Sequence, residues 1–261
     1  MYPKNQPAPA RGEPILPSTS LPVTRNNITG YAFLFDLDGT LAPIAASPEL
    51  AAVPEATRAT LEKLHAVCGG ALAIVSGRPI SEIDHLLAPR VYCAGGLHGA
   101  QLRGPDGRQA QLEVDAEAVA AMVRALLPLT QAHAGLKLED KGLSLALHYR
   151  NAPALQGLVS EAVNEALRPH THAFVLQPGK MVLEIKPRQA SKAGAISRLM
   201  DMSPFAGRLP LFAGDDLTDE AGFDIARRMG GVSIKVGDGD TRAQWRMPTP
   251  AALAAWLDLL C

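Results

Sequence analysis

The sequence predicts an open, doubly wound α/β domain with a mostly parallel sheet and a second, smaller α/β domain inserted into it. Three observations carry this. The apolar runs Tyr31–Phe35, Ala71–Val75 and Leu209–Ala213 are continuous rather than alternating, as strands are when helices cover both faces of a parallel sheet. A helical segment follows each: Pro54–Val67, Pro79–Leu87 and Leu217–Met229, and strand–helix alternation is the mark of the doubly wound class. Between them the period changes to two. Leu143, Leu145, Leu147 and Tyr149 alternate with Ser144, Ala146, His148 and Arg150, and Met181, Leu183 and Ile185 alternate with Lys180, Val182, Glu184 and Lys186. That pattern predicts antiparallel strands with one apolar and one wet face.

In chain order, residues 1–27 carry prolines at 3, 7, 9, 14 and 17 and read as a flexible or extended arm. Residues 28–103 begin the parallel domain. Its first helix opens on Pro54-Glu55 and stops before Gly69-Gly70, good start and stop chemistry. Residues 104–186 form the inserted domain, with helices at about 115–127 and 153–168 covering the leucine face. Residues 187–261 complete the parallel domain. Positions near Gly104 and Pro187 are the candidate hinges.

With 261 residues, 47% hydrophobic and 20% charged, the chain has ample apolar surface to fold. A net charge of −1 gives no electrostatic footprint for duplex nucleic acid or an acidic membrane. No apolar run reaches the length of a membrane span, and the Pro-rich start lacks the apolar stretch of a secretory signal. Cys68, Cys93 and Cys261 are far apart and odd in number, which favours a reducing, cytoplasmic setting. The expected partner is therefore a small molecule, with no nucleic acid and no membrane; no oligomeric state is written in the pattern.

The sharpest local feature is Asp36-Leu37-Asp38-Gly39-Thr40, directly after the first apolar run. Alone it reads more simply as a strand-ending turn. Ser76 ends the second run and Gly214-Asp215-Asp216 the third, so all three sets fall at the carboxyl edge of the sheet, where open α/β sheets bind ligands. Asp36, Asp38 and Asp215 converging there need a cation against their repulsion, and an all-oxygen set suits Mg2+. Asp216 to Glu220 also read as an acidic helix start. An aspartate can attack phosphorus to form an aspartyl-phosphate, and Asp36 is placed for it. Asp38 could protonate the leaving oxygen and then activate water. Ser76 and Lys192 could hold the phosphoryl oxygens, although a lone lysine reads more simply as a surface charge. No GxGxxG follows the first strand, and GxxxxGK[ST], HExxH and GxSxG are absent, which removes nucleotide-binding, zinc and serine-triad readings.

Asp36-x-Asp38-Gly-Thr40, Ser76, Lys192 and Gly214-Asp215-Asp216 resemble, in order, the four motifs of the haloacid dehalogenase (HAD) phosphatases. The resemblance implies a HAD-like Rossmannoid core, Asp36 as nucleophile, Asp38 as acid/base, and Ser76 and Lys192 on the phosphate. It also implies Mg2+ on Asp36, Asp215 and the main-chain carbonyl of Asp38, with Asp219 supporting its water shell. From about residue 30 to the end, Ser76-Gly-Arg-Pro79, Gly96-Leu-His-Gly99, Glu139-Asp-Lys-Gly142, His148-Tyr-Arg150, Pro178-Gly-Lys180, Glu184-Ile-Lys-Pro187 and Gly214-Asp-Asp-Leu-Thr-Asp-Glu220 resemble the trehalose-6-phosphate phosphatase family. One departure is Gln101, where that family often has Glu. The implied activity is hydrolysis of trehalose 6-phosphate in trehalose biosynthesis. The implied cap is a sugar reader: Glu139, Lys141 and Glu184 would hold the distal glucose, with Lys180 helping.

The spacing gives this partial support of its own. Glu139 and Lys141 are two apart, and Lys180 and Glu184 four apart, so each pair would share a strand face; carboxylates accept from sugar hydroxyls and lysines donate. The same face could instead be a solvated one with cross-strand Glu–Lys pairs. His98 would touch the sugar or the cap hinge, or be structural; Arg78 would bind substrate, or cap its helix or pair locally. Closure of the cap over Asp36 would exclude bulk water. The competing readings are a phosphatase for another sugar phosphate, such as sucrose phosphate, and a catalytically silent regulatory module.

Overall fold

The structure is a computed structural model and describes residues 16–17, 21–45 and 48–261. The chain divides into two compact units, Met1–Ala110 with Ser191–Cys261, and Gln111–Ala190.

The first unit holds β1 (Leu16–Pro17), β2 (Tyr31–Phe35), α1 (Glu55–Val67), β3 (Leu72–Val75), α2 (Ile80–Leu87), β4 (Cys93–Gly96) and β5 (Gln101–Arg103), which pairs at the sheet edge with β6 (Gln109–Gln111), the strand on which the division falls. The second unit contributes α3 (Ala116–Ala132), β7 (Lys137–Asp140), β8 (Leu145–His148), α4 (Gln156–Leu167), β9 (Phe174–Gly179) and β10 (Val182–Pro187). The first unit then resumes with α5 (Lys192–Met200), β11 (Leu209–Gly214), α6 (Glu220–Arg228), β12 (Val232–Val236), β13 (Trp245–Met247) and α7 (Pro250–Leu260).

Among the described residues the large sheet runs β1-β13-β12-β11-β2-β3-β4-β5-β6. Its pairs from β1 to β4 are parallel, and β5 turns back antiparallel on β4. This is the doubly wound, mostly parallel class. All five residues of β2, YAFLF, are buried, because β2 is central and covered on both faces. β2 and β11 pair from Tyr31–Leu209 to Phe35–Ala213, so Asp36 and Gly214-Asp215 leave the sheet side by side. β3 pairs Ile74 with Phe35, which brings Ser76 to the same edge. Sequence reading missed β4, β12 and β13; β12 (VSIKV) is fully buried, but Ser233 and Lys235 interrupt its apolar residues, so no continuous run marked it.

The second unit is a four-stranded antiparallel sheet, β7-β8-β10-β9. Leu145, Leu147, Leu183 and Ile185 pack with Val119, Met122 and Leu126 of α3 and Val159 and Val163 of α4. Asp115 caps α3 by accepting from the N–H groups of Glu117 and Ala118.

Two of the expected boundaries shift by several residues. The first boundary falls after Ala110, not at 103/104: Gly104 lies in the β5–β6 turn, where its N–H donates to the Arg108 carbonyl at 3.2 Å. The second falls after Ala190: Pro187 ends β10, opposite Phe174, so neither candidate hinge is at a unit boundary. Of the stretch read as an arm, residues 1–15 and 18–20 lie outside the described residues. Leu16–Pro17 pairs with Trp245–Arg246, in keeping with the extended alternative, and Val23 is buried in the main core.

Candidate active site

Asp36 is buried at the end of β2, with 4% of its surface exposed. Its Oδ1 accepts from Lys192 Nζ at 2.6 Å, and its Oδ2 accepts from Thr40 Oγ1 at 3.3 Å. Lys192 is the first residue of α5, whose start is fixed by Ser191 accepting from the Gly194 N–H. That places the lysine inward, 3% exposed, and removes the surface-charge reading. The same Nζ donates to Asp219 Oδ1 at 2.6 Å, so one ammonium bridges two carboxylates. Burial drives the Asp36 carboxyl well above the usual carboxylate range, against the pull of Lys192; Asp219 and Asp215 push it further up. Burial works against the Lys192 charge, but Asp219 and Asp36 together outweigh it and hold the ammonium well above its usual value.

Asp219 has a second task. Its Oδ2 accepts from the N–H groups of Asp215 and Asp216, each at 3.0 Å, and Asp216 in turn caps Leu217 at 2.7 Å. The acidic helix start expected from the sequence is therefore real, and its Asp219 also faces Lys192. Two glycines make room. A Cβ on Gly214 would stand 2.3 Å from Asp219 Cγ, and one on Gly39, at φ +82°, would stand 2.2 Å from Asp215 Oδ2. Ligand oxygens of Asp36, Asp215 and Asp219 lie within 4.8 Å of one another. This all-oxygen set could hold a hard divalent cation.

Other expected residues fall elsewhere. The Asp38 side chain is not in that cluster: Arg78 Nε donates to its Oδ2 at 2.7 Å and Nη2 to its Oδ1 at 2.9 Å. Arg78 also reaches Glu82 at 2.9 Å, so two carboxylates, one four positions away and one 40 away, engage the guanidinium expected on substrate. Ser76 is buried, with its Oγ accepting from the Arg78 N–H at 3.2 Å. His98 is buried at φ 55°. A Cβ on Gly77 would stand 2.7 Å from its Nε2, and its N–H donates to the Ser76 carbonyl at 2.9 Å; it packs behind the Ser76–Arg78 loop.

In the second unit, pairing aligns Glu139 with Ala146 and Ala146 with Glu184, so both glutamates share the face opposite the leucines. Lys141 Nζ donates to Glu184 Oε1 at 3.2 Å, and Ser144 Oγ to the same oxygen at 3.3 Å. His148 Nε2 lies 2.9 Å from Glu139 Oε2; this bond holds the Glu139 carboxyl below the usual range, against its burial. Lys180 is not on a strand with Glu184. It is exposed in the turn between β9 and β10, beside Met181 at φ 64°, so the four-residue spacing did not apply. Ser144, His148 and the buried Lys186 belong to this polar face and were missed as site residues. Their alternation with Leu145, Leu147 and Ile185 was the signal.

Residues 34–251 match the model of the trehalose-phosphatase family. The chain belongs to this family. It is 40% identical over 231 residues to a trehalose-6-phosphate phosphatase of Escherichia coli K12, covering 88% of this chain and 86% of that one. It is 40% identical over 230 residues to a probable trehalose-phosphate phosphatase of Sinorhizobium fredii, covering 87% and 84%. The fold is shared with the C-terminal domain of a C. albicans trehalose-6-phosphate phosphatase, at TM-score 0.78 and 22% identity, covering 90% of this chain and 94% of that one. As a family member the protein is a phosphoric monoester hydrolase. No helix among its described residues is long and apolar enough to cross a membrane.

Proposed function

We propose that this phosphatase hydrolyses trehalose 6-phosphate to trehalose and phosphate through an aspartyl-phosphate at Asp36, with Mg2+ as its cofactor, in the cytoplasm. The observation that carries the reading is the buried Asp36–Lys192–Asp219 arrangement at the carboxyl edge of the sheet, with Asp215 beside it.

The reaction divides between the chain's own groups as follows. A carboxylate oxygen of Asp36 attacks phosphorus. The bond from phosphorus to the sugar oxygen breaks, and that oxygen keeps the electron pair and takes a proton from the Asp38 carboxylic acid. Water then attacks phosphorus and gives its proton to the Asp38 carboxylate. The bond to Asp36 breaks, releasing phosphate and restoring the aspartate. Lys192 places positive charge beside the nucleophile, and Ser76 and Lys192 face the phosphoryl oxygens. Arg78, holding both Asp38 oxygens, fixes the direction of the acid/base. Mg2+, held by Asp36 and Asp215 with the Asp38 carbonyl, and with Asp219 behind them, would offset charge on the phosphoryl oxygens.

Glu139, Lys141 and Glu184 supply acceptors and donors for sugar hydroxyls. Their near-complete internal pairing keeps the face ordered before a sugar replaces one polar partner with another. The test is phosphate release with Mg2+ from trehalose 6-phosphate, sucrose 6-phosphate, glucose 6-phosphate and an aryl phosphate, with Asp36→Asn as the blank. Preference for trehalose 6-phosphate, lost in the blank, is expected. Preference for another sugar phosphate would overturn the reading of Glu139, Lys141 and Glu184 but keep the aspartate chemistry. Turnover of none would favour a silent regulatory module.

A further inference from the structure

The peptide that joins Asp215 to Asp216 is held at both poles by buried charges. Its N–H, that of Asp216, donates to Asp219 Oδ2 at 3.0 Å. Its carbonyl, that of Asp215, accepts from Lys235 Nζ. The two groups of a trans peptide point in opposite directions. An ammonium therefore stands at the negative end of this peptide's dipole and a carboxylate at the positive end.

Lys235 belongs to β12, where it pairs with Gly214 of β11, and only 5% of its surface is exposed. A buried ammonium is costly to desolvate, and a carbonyl could be satisfied by a neutral donor. The lysine instead closes a chain of alternating charge. From Lys235 it passes through the 215–216 peptide to Asp219, then over 2.6 Å to Lys192 and over 2.6 Å to Asp36. The Asp215 carboxylate leaves the backbone at the Cα next to this clamped peptide and lies against Gly39, which has no Cβ to obstruct it. The peptide plane from which it leaves cannot rotate without breaking contacts to two buried charges.

We propose that Lys235 is a positioning residue for Asp215: it sets the direction of that carboxylate and so the affinity of the acidic cluster for a divalent cation. The proposal rests on the Mg2+ reading above. It makes a prediction whose sign separates it from simple electrostatics. Removing a positive charge near a cation site should by itself tighten cation binding. Removing a support behind a ligand should weaken it, by between about 10-fold and 100-fold for outer-shell partners in general.

The experiment is calorimetric Mg2+ titration of the substrate-free protein, for the parent, Lys235→Met and Lys235→Arg, with amide hydrogen exchange at Asp216 and a thermal melt of each. The expected result is binding weaker by about 10-fold or more in Lys235→Met, largely restored in Lys235→Arg, with faster exchange at the Asp216 N–H in the methionine variant only. Binding that is unchanged or tighter in Lys235→Met overturns the proposal while leaving the metal reading intact. No Mg2+ binding by the parent overturns both. If Lys235→Met does not fold, Lys235→Ala, which removes the donor and leaves room for water, is read in its place: weaker binding than the parent supports positioning, and equal or tighter binding overturns it.

Discussion

Asp36 and Glu184 are both buried carboxylates that a lysine touches, yet the surroundings of the two are opposite in design. Asp36 meets Lys192, 156 positions away, and shares it with Asp219. Like charges outnumber unlike ones there, and burial pushes the Asp36 carboxyl up. Glu184 meets Lys141, 43 positions away, with Ser144 on the same oxygen. Its neighbour Glu139 has a histidine to itself and is held down instead. One region accumulates unbalanced carboxylates, an arrangement that favours a cation beside them. The other pairs each carboxylate and keeps an ordered polar surface. Where the chemistry is proposed the molecule carries electrostatic strain, and where sugar recognition is proposed it relieves it.

Four variants test this contrast. Asp36→Asn should lower phosphate release by at least about 10⁴-fold, as removal of a nucleophile does, with the far-UV spectrum and melting transition retained; turnover within 100-fold of the parent would remove Asp36 from that role. Gly39→Ala drives a methyl into the Asp215 carboxylate at a positive φ. It should cost about 1–3 kcal/mol of stability and raise the Mg2+ concentration needed for half-maximal rate, both absent if the turn simply relaxes. Glu184→Gln should reduce kcat/KM for trehalose 6-phosphate by about 10-fold to 100-fold, a loss of 1–3 kcal/mol of polar contact, while an aryl phosphate changes little; equal losses on both would make Glu184 structural only.

The smallest effect is expected from His148→Ala. Because the folded protein holds Glu139 below its ordinary value of 4.5, the contribution of the pair is complete above that value. It is lost as pH falls through the lower, folded one. The gap in melting temperature between parent and variant should therefore be present near neutral pH, amount to a few degrees at most, and close in acid. A gap that persisted in acid would mean that His148 acts by packing.

Much of this was legible in contiguous residues. Continuous apolar runs read correctly as central parallel strands because burial on both faces leaves no polar positions. The leucine stripes of β8 and β10 read correctly because period two is a property of the strand itself. The Asp36–Thr40 and Gly214–Asp219 segments were visible because a turn at a strand end needs particular residues wherever it occurs. Errors arose where a local rule was applied past the end of its element. Lys180 was counted along a strand that begins at Val182, and Gly104 was taken for a boundary although the chain turns back there into β6.

The residue types, their order and the sheet edge on which they fall follow from sequence alone, since periodicity and turn chemistry act over a few neighbouring residues. Which charge meets which does not. Arg78 sits on Asp38, Lys192 bridges two carboxylates rather than facing water, and Lys235 lies behind Asp215. Each of these choices spans a gap in the chain that no local pattern crosses. Close packing and the expense of leaving a buried charge unpaired decide it, and those forces operate only once the strands are side by side.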